Sequence, residues 1–61
     1  MRLTVSTSSW FECELYLKQN YFSYRRDYWY STRSGLVDIE FTNKDAYAMF
    51  SNRWADRLLS G

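Results

Sequence analysis

The run from residue 21 to residue 30 constrains the fold most strongly. Six of its ten residues are aromatic, and no Gly, Pro or Asn interrupts it. Aromatic side chains are enriched in strands, where they fit a pleated surface that is buried on one side. A strand this bulky needs a second strand beside it and an apolar layer across one face. The run therefore predicts one strand of a sheet that packs against helices.

The segment from residue 36 to residue 42 predicts the neighbouring strand, because its side chains alternate between apolar and acidic. The apolar positions are Val37, Ile39 and Phe41, and the acidic positions between them are Asp38 and Glu40. Residues 31–35 have the Ser-, Thr- and Gly-containing composition of a turn. A connection this short predicts a hairpin between the two strands.

The length of the hairpin loop decides which aromatic side chains face the core, since a slip of one residue exchanges the two faces of a strand. A four-residue loop at Ser31–Ser34 predicts three opposed pairs: Tyr28 with Val37, Tyr24 with Phe41 and Arg25 with Glu40. A five-residue loop would instead turn Arg25 and Asp27 toward the core, where an unpaired charge is costly.

The four-residue loop assigns the side chains of the aromatic run to two faces. The side chains expected to face the core are Phe22, Tyr24 and Tyr28. Tyr21, Arg25 and Trp29 are expected to form a row that faces solvent. In this register Arg26 falls on the buried side opposite Ile39, so it would have to reach an edge or a partner.

The first part of the chain predicts a short strand and a helix. Residues 2–7 alternate, with Leu3 and Val5 on the buried side. Ser9 and Glu12 match a capping box, which predicts a helix from Trp10 to about Gln19. We expect Asn20 to end this helix in a left-handed turn.

The last part of the chain predicts a second helix. Thr42 or Asn43 is expected to cap it, and an acid in the first turn suits the helix dipole. The apolar positions recur every four residues through about four turns; they are Ala46, Phe50, Trp54 and Leu58. This spacing predicts one core-facing stripe.

These elements predict one α+β domain over residues 1–61, with the order β-α-β-β-α. The arrangement expected is a two-layer, three-stranded sheet of order 1-3-2 with both helices on one face, a ferredoxin-like plait that lacks its fourth strand. The crossover is expected to lay the first strand parallel to the third. The first strand then has an open edge that stays short or pairs with another chain.

The composition argues against an enzyme and predicts neither a cofactor nor a metal site. The 61 residues include one Cys and no His, and their formal net charge is +1. Without His, the Ser-His and Cys-His nucleophile pairs are excluded. Cys13 is expected to be a small core residue, and Asp38 with Glu40 a solvated face.

Neither a secretory h-region nor a run of about 18 apolar residues is found in the sequence. The expectation is therefore a cytoplasmic protein without a membrane partner.

The residues predicted to bind a partner are Tyr21, Arg25, Trp29 and Arg33. Tyr, Trp and Arg are enriched at the energetic centres of protein interfaces, so a protein partner is expected, either another protein or a second copy in a homodimer. The interface would be the outer face of the second strand or the edge of the first. The alternative is a module that binds single-stranded RNA by stacking, although Asp38 and Glu40 would repel its phosphates. A third possibility is that the rings cover neighbouring side chains and bind nothing.

Residues 41–54 also resemble the strand-to-helix segment of small proteins encoded by tailed phages. The matching features are a Phe at the strand end, a capping turn, an Asp-Ala pair, a helical Phe and an Arg-aromatic pair: Phe41, Asp45, Ala46, Phe50, Arg53 and Trp54. The resemblance implies a stoichiometric binder that inhibits or recruits a host factor, and it assigns no functional residue.

Overall fold

The computed structural model describes residues 1–59, so Ser60 and Gly61 of the predicted domain lie outside it. Residues 1–59 form three strands, two α-helices and one turn of 3-10 helix. In chain order they are β1 (Arg2–Ser6), α1 (Thr7–Gln19), β2 (Tyr28–Arg33), β3 (Leu36–Phe41), α2 (Lys44–Arg53) and the 3-10 turn (Ala55–Arg57). The predicted α+β order of elements is confirmed.

The sheet has the predicted strand order β1-β3-β2, with β3 in the centre. β1 is antiparallel to β3, with Leu3 opposite Ile39 and Val5 opposite Val37, so the expected parallel pairing is wrong. The reason lies in the connections. The α1 crossover brings β2 back parallel to β1, and the tight hairpin then reverses the chain into β3. The result is the antiparallel sheet of a plait with three of its four strands.

The hairpin turn is shorter than predicted. Arg33 pairs with Leu36, which leaves only Ser34 and Gly35 in the turn. Both residues have positive φ, 45° and 79°, as a two-residue type I′ turn requires. As a result Tyr28 lies opposite Phe41, and the predicted pairing with Val37 is wrong. The slip is an even number of residues, so Tyr28 still faces the core and Trp29 still faces solvent.

The two α-helices begin differently. The capping box predicted for α1 is wrong: the helix begins at Thr7, directly after β1, and no side chain in the described part of the chain caps it. The Ser9 hydroxyl instead lies 3.3 Å from that of Ser6. α2 begins as predicted, because the Asn43 side-chain oxygen accepts hydrogen bonds from the backbone N–H groups of Asp45 and Ala46, at 2.9 and 3.3 Å.

The core lies between the sheet and both helices, on one face, as predicted. Among the residues that the structure describes, it contains twelve buried side chains: Leu3, Val5, Trp10, Cys13, Leu17, Tyr28, Val37, Ile39, Phe41, Ala46, Phe50 and Trp54. α2 ends at Arg53, short of the predicted Leu58, which packs against the core after the 3-10 turn. The rings of Phe41 and Phe50 meet at 5.3 Å between centroids, which joins α2 to the central strand.

Candidate functional site

The loop between α1 and β2 occupies residues 20–27, although the sequence pattern predicted a strand from residue 21 onward. α1 ends at Gln19 with Asn20 as its C-cap; the left-handed conformation predicted at Asn20 is wrong, because it occurs at Tyr21, with φ of 67°. Arg25 is also left-handed, with φ of 77°. A non-glycine residue in this region is destabilising by about 1–3 kcal/mol, and it persists only where the surroundings hold it. Two such residues in eight mean that this loop is held in one particular shape.

Asp27 holds that shape. Its carboxylate is buried, with 5% of the residue exposed, and the prediction that it faces water is wrong. Its oxygens accept hydrogen bonds from the Ser23 N–H at 2.7 Å, Arg26 Nε at 3.0 Å and Asn43 Nδ2 at 2.9 Å. These hydrogen bonds, of which the one from Arg26 has the largest effect, lower the pKa of Asp27 to about 2. The backbone carbonyl of Asp27 also accepts from the N–H groups of Thr42 and Asn43.

Arg26 supports the same loop from outside. It lies on the surface, so its predicted place on the buried side opposite Ile39 is wrong. The guanidinium donates to the Tyr21 carbonyl at 2.8 Å and forms an ion pair with Asp27 at 2.8 Å. The left-handed backbone at Tyr21 is thereby tied to the buried carboxylate.

Arg25 and Trp29, two of the residues predicted to bind a partner, are brought together. The Arg25 guanidinium carbon lies 5.4 Å from the centroid of the Trp29 ring, a cation–π contact. The predicted ion pair of Arg25 with Glu40 is therefore wrong. Trp29 faces solvent as predicted, with 43% of it exposed.

Tyr24 belongs to this cluster, although the pattern predicted it in the core. It is 42% exposed, and its ring lies 5.7 Å from Trp29 and 5.0 Å from Tyr30. The prediction assumed that alternation continues back through residue 24, whereas β2 begins only at Tyr28. The sequence run itself contained no signal that marks this boundary.

Tyr21 lies next to this cluster and is the most exposed ring, with 86% of it accessible. It lines a shallow recess of about 540 Å³ together with Lys18, Phe22, Ser23, Tyr24 and Arg26. Tyr24 is common to this recess and to the Trp29 cluster. We call the four side chains Tyr21, Tyr24, Arg25 and Trp29 the aromatic loop surface.

Arg33, the fourth residue predicted to bind a partner, lies at the opposite end of β2. Its guanidinium donates to Asp38 on the neighbouring strand at 2.7 Å, and the Thr4 hydroxyl donates to the same carboxylate at 2.7 Å. These two hydrogen bonds, of which the one from Arg33 has the larger effect, lower the pKa of Asp38. Arg33 therefore belongs to the outer face of the sheet and is not part of the aromatic loop surface.

The outer face of the sheet carries a second recess, of about 210 Å³. Its lining residues are Arg2, Trp29, Tyr30, Ser31, Asp38 and Glu40. The Met1 amino group lies 2.8 Å from Glu40, and Arg2 lies 3.4 Å from it. The amino-group bond is the main cause of a lowered pKa at Glu40. Both carboxylates beside Trp29 are therefore ionised at neutral pH and already paired.

Two buried side chains, Cys13 and Asp27, are each held in one protonation state at neutral pH. Burial raises the pKa of the Cys13 thiol to about 11, so the thiolate is scarce at neutral pH. Asp27 is ionised and fully engaged by its three donors. Across residues 1–59 no group of three or more His, Cys, Asp or Glu side chains is placed to hold a metal ion.

Neither α-helix in the described part of the chain has the length and apolar character needed to cross a bilayer. Comparison with protein-family models, with curated proteins and with solved structures finds no match. The function must therefore be inferred from the residues of this chain.

Proposed function

We propose that this protein acts without catalysis, by binding another protein through the aromatic loop surface. The observation that carries the proposal is the construction of the loop. A buried carboxylate and two left-handed non-glycine residues hold exposed aromatic rings in one arrangement. A loop whose only role was to connect α1 with β2 would need neither the strain nor the exposed rings.

The residue types favour a protein partner. Tyr, Trp and Arg are the side chains most enriched among those that dominate binding energy at protein interfaces. The exposed fractions of Tyr21, Tyr24 and Trp29 leave large ring areas available for burial. Because the loop is already ordered by Asp27, little conformational entropy is lost when a partner binds, and preorganisation of this kind raises affinity.

Charge separates this proposal from the alternative of single-stranded nucleic acid. Arg25 and Trp29 could stack on a base, as such modules require. Asp38 and Glu40, however, line the recess beside Trp29, and ionised carboxylates there repel a phosphate chain. Nucleic-acid binding is therefore the alternative that the experiment must distinguish from protein binding. A host factor as the partner, and a cytoplasmic location, stay predictions from the sequence.

The test is capture of partners from a lysate of the native host on the immobilised protein, with and without nuclease, analysed by mass spectrometry. Trp29→Ala and Tyr21→Ala remove the proposed contacts. Phe11→Ala is the matched control, because Phe11 is 76% exposed and lies on α1, outside the aromatic loop surface. We expect the wild type and Phe11→Ala to retain the same protein after nuclease treatment, and the other two variants to lose it.

Two results would count against the proposal. Unchanged capture by Trp29→Ala and Tyr21→Ala would show that the aromatic loop surface is not the interface. Capture that disappears with nuclease and weakens steeply with salt would assign the surface to nucleic acid instead.

A further inference from the structure

Positive charge is concentrated around the aromatic loop surface. Residues 18–30 contain three cations, Lys18, Arg25 and Arg26, and one carboxylate, Asp27. That carboxylate is buried and bonded within the loop, whereas all three cations are exposed. The charge that a partner meets at this end of the molecule is therefore positive, although the whole chain is close to neutral.

Two of these cations have no counter-ion. Within the described part of the chain, neither Lys18 nor Arg25 lies within ion-pair distance of a carboxylate. Glu14, which precedes Lys18 by one helical turn, is not paired with it. On the outer face of the sheet, by contrast, Asp38 and Glu40 are both paired. An anionic group of a partner therefore meets cations beside the aromatic loop surface whose charge is not yet neutralised.

The shallow recess beside Tyr21, which we call the loop recess, places two of the cations next to aromatic rings. Its lining residues are Lys18, Tyr21, Phe22, Ser23, Tyr24 and Arg26. Arg26 donates from Nε to Asp27 and from Nη2 to the Tyr21 carbonyl. Among residues 1–59, Arg26 Nη1 and Lys18 Nζ have no hydrogen-bond partner. The loop recess therefore combines two cationic donor groups with an aromatic surface.

We propose that the loop recess binds an acidic segment of the partner protein. An Asp or Glu carboxylate of that segment pairs with Lys18 and Arg26, and a neighbouring apolar side chain packs on Tyr21 and Tyr24. This inference rests on the proposed function and adds the chemical class of the bound segment. Rings that exclude water from one side of an ion pair lower the local dielectric and strengthen the attraction. Because Asp27 already orients the Arg26 guanidinium, little side-chain entropy is lost on binding.

The distribution of charge favours a peptide over a phosphate chain. The ring of Tyr24 lines the loop recess and lies 5.7 Å from Trp29, which lines the recess on the outer face of the sheet. The two recesses are therefore adjacent, one with exposed cations and the other with Asp38 and Glu40. Nucleic acid carries negative charge at every nucleotide, whereas a peptide can carry it at one end alone. A peptide can therefore contact both rings and leave its charge at the loop recess.

The first experiment follows the backbone amide chemical shifts of the isotope-labelled protein during titration with a defined probe. The probe is the acetylated, amidated pentapeptide Glu-Glu-Phe-Glu-Glu, and the matched peptide is Gln-Gln-Phe-Gln-Gln. We expect the acidic peptide to shift the amide signals of Tyr21, Phe22, Ser23 and Tyr24 with a Kd of about 1 mM, a weak contact that this titration can measure. The Gln peptide should leave them in place.

The second experiment reverses one charge in the loop recess. Lys18→Glu is compared with Lys44→Glu, because Lys44 is also an exposed lysine without an ion pair and lies on α2, outside the loop recess. We expect Lys18→Glu to bind the acidic peptide about fivefold more weakly, since an exposed attraction becomes a repulsion. Lys44→Glu should bind as the wild type does. Added salt should weaken wild-type binding by screening.

A glutamate in the last turn of α1 is unfavourable to the helix dipole. Lys18→Gln therefore serves as a second variant if the spectrum of Lys18→Glu shows a loss of folded protein. It removes the cation without adding a negative charge, and its binding should weaken in the same direction by a smaller factor.

Three results would overturn the inference: no shift at the loop recess with the acidic peptide up to about 10 mM, equal binding of the Gln peptide, or equal binding by Lys18→Glu and Lys44→Glu. Larger shifts of the same amides with a short single-stranded RNA would assign the loop recess to nucleic acid instead.

Capture of the partner from the lysate separates this inference from the proposed function. A captured protein that Trp29→Ala loses and Lys18→Glu retains at high salt would leave the interface in place and overturn the acidic segment. Capture that neither substitution changes would overturn both. Loss of the captured protein in Trp29→Ala and in Lys18→Glu, with Lys44→Glu unaffected, is the result expected from both.

Discussion

Two regions of this protein each contain an aspartate paired with an arginine, and the two pairs have different effects. In the loop before β2, Asp27 accepts from Arg26, the Ser23 backbone and Asn43. On the outer face of the sheet, Asp38 accepts from the side chains of Arg33 and Thr4. Both pKa values are lowered. The donors to Asp27 include backbone and a segment sixteen residues away, whereas the donors to Asp38 are side chains on neighbouring strands.

The difference shows that the position of an ion pair decides what it does. Asp38 lies on β3, where the hydrogen bonds of the sheet already hold the backbone. Its ion pair therefore neutralises charge without determining the shape of the chain. Asp27 lies where no ladder exists, and its bonds are what give the loop its shape. The aromatic loop surface therefore depends on Asp27 and not on Asp38.

Asp27→Ala should have the largest effect. Removal of a buried carboxylate that holds three donors is expected to lower the free energy of unfolding by about 3 kcal/mol. The free energy of unfolding of a domain of this size is only about 3–5 kcal/mol in total, so a large fraction of the variant should be unfolded. Urea denaturation measures the loss, with Asp56→Ala as the control because that carboxylate is exposed. Equal midpoints for the two variants would refute the role given to Asp27.

The stability should fall in acid for the same reason. The pKa of Asp27 is about 2 in the folded protein and 3.8 without the contacts. The stabilisation that ionised Asp27 gives the fold is therefore complete above about pH 4 and is lost as the pH falls through 2. Urea midpoints measured between pH 5 and pH 2 test this. The urea midpoint of Asp27→Asn should fall less steeply with decreasing pH than that of the wild type. Parallel curves for the two proteins would show that Asp27 is not the group responsible.

Tyr21→Gly should stabilise the fold by up to about 1 kcal/mol, because Gly adopts positive φ without strain. Little packing is lost, since Tyr21 is 86% exposed. Thermal denaturation gives the change, and the same variant should lose the captured partner. Gain of stability with loss of binding would show that the strained residue is kept for function. A destabilised variant would mean that the ring supports the loop.

Asp38→Asn should have the smallest effect. The strand ladder holds Thr4 and Arg33 in place without the charge, and an ion pair whose arginine is 61% exposed contributes little. The urea midpoint should move far less than that of Asp27→Ala, and added salt should reduce even this difference. A loss comparable to that of Asp27→Ala would remove the distinction between the two regions.

Much of the fold could be predicted because its signals are local. The alternation at Val37, Ile39 and Phe41 and the stripe at Ala46, Phe50 and Trp54 each identify an element and its buried face. The assignment of Tyr28 inward and Trp29 outward is correct despite the wrong hairpin loop, since an even slip preserves the faces. The outward row was only partly right, because it treated residues 21–27 as strand.

The sequence by itself determined the element order and the buried face of each element, because periodicity acts over a few residues. Only the tertiary structure decided where β2 begins, which way β1 runs and that Asp27 is buried. Those outcomes depend on contacts between distant segments, above all the bond between Asp27 and Asn43. No pattern within the aromatic run contains that contact.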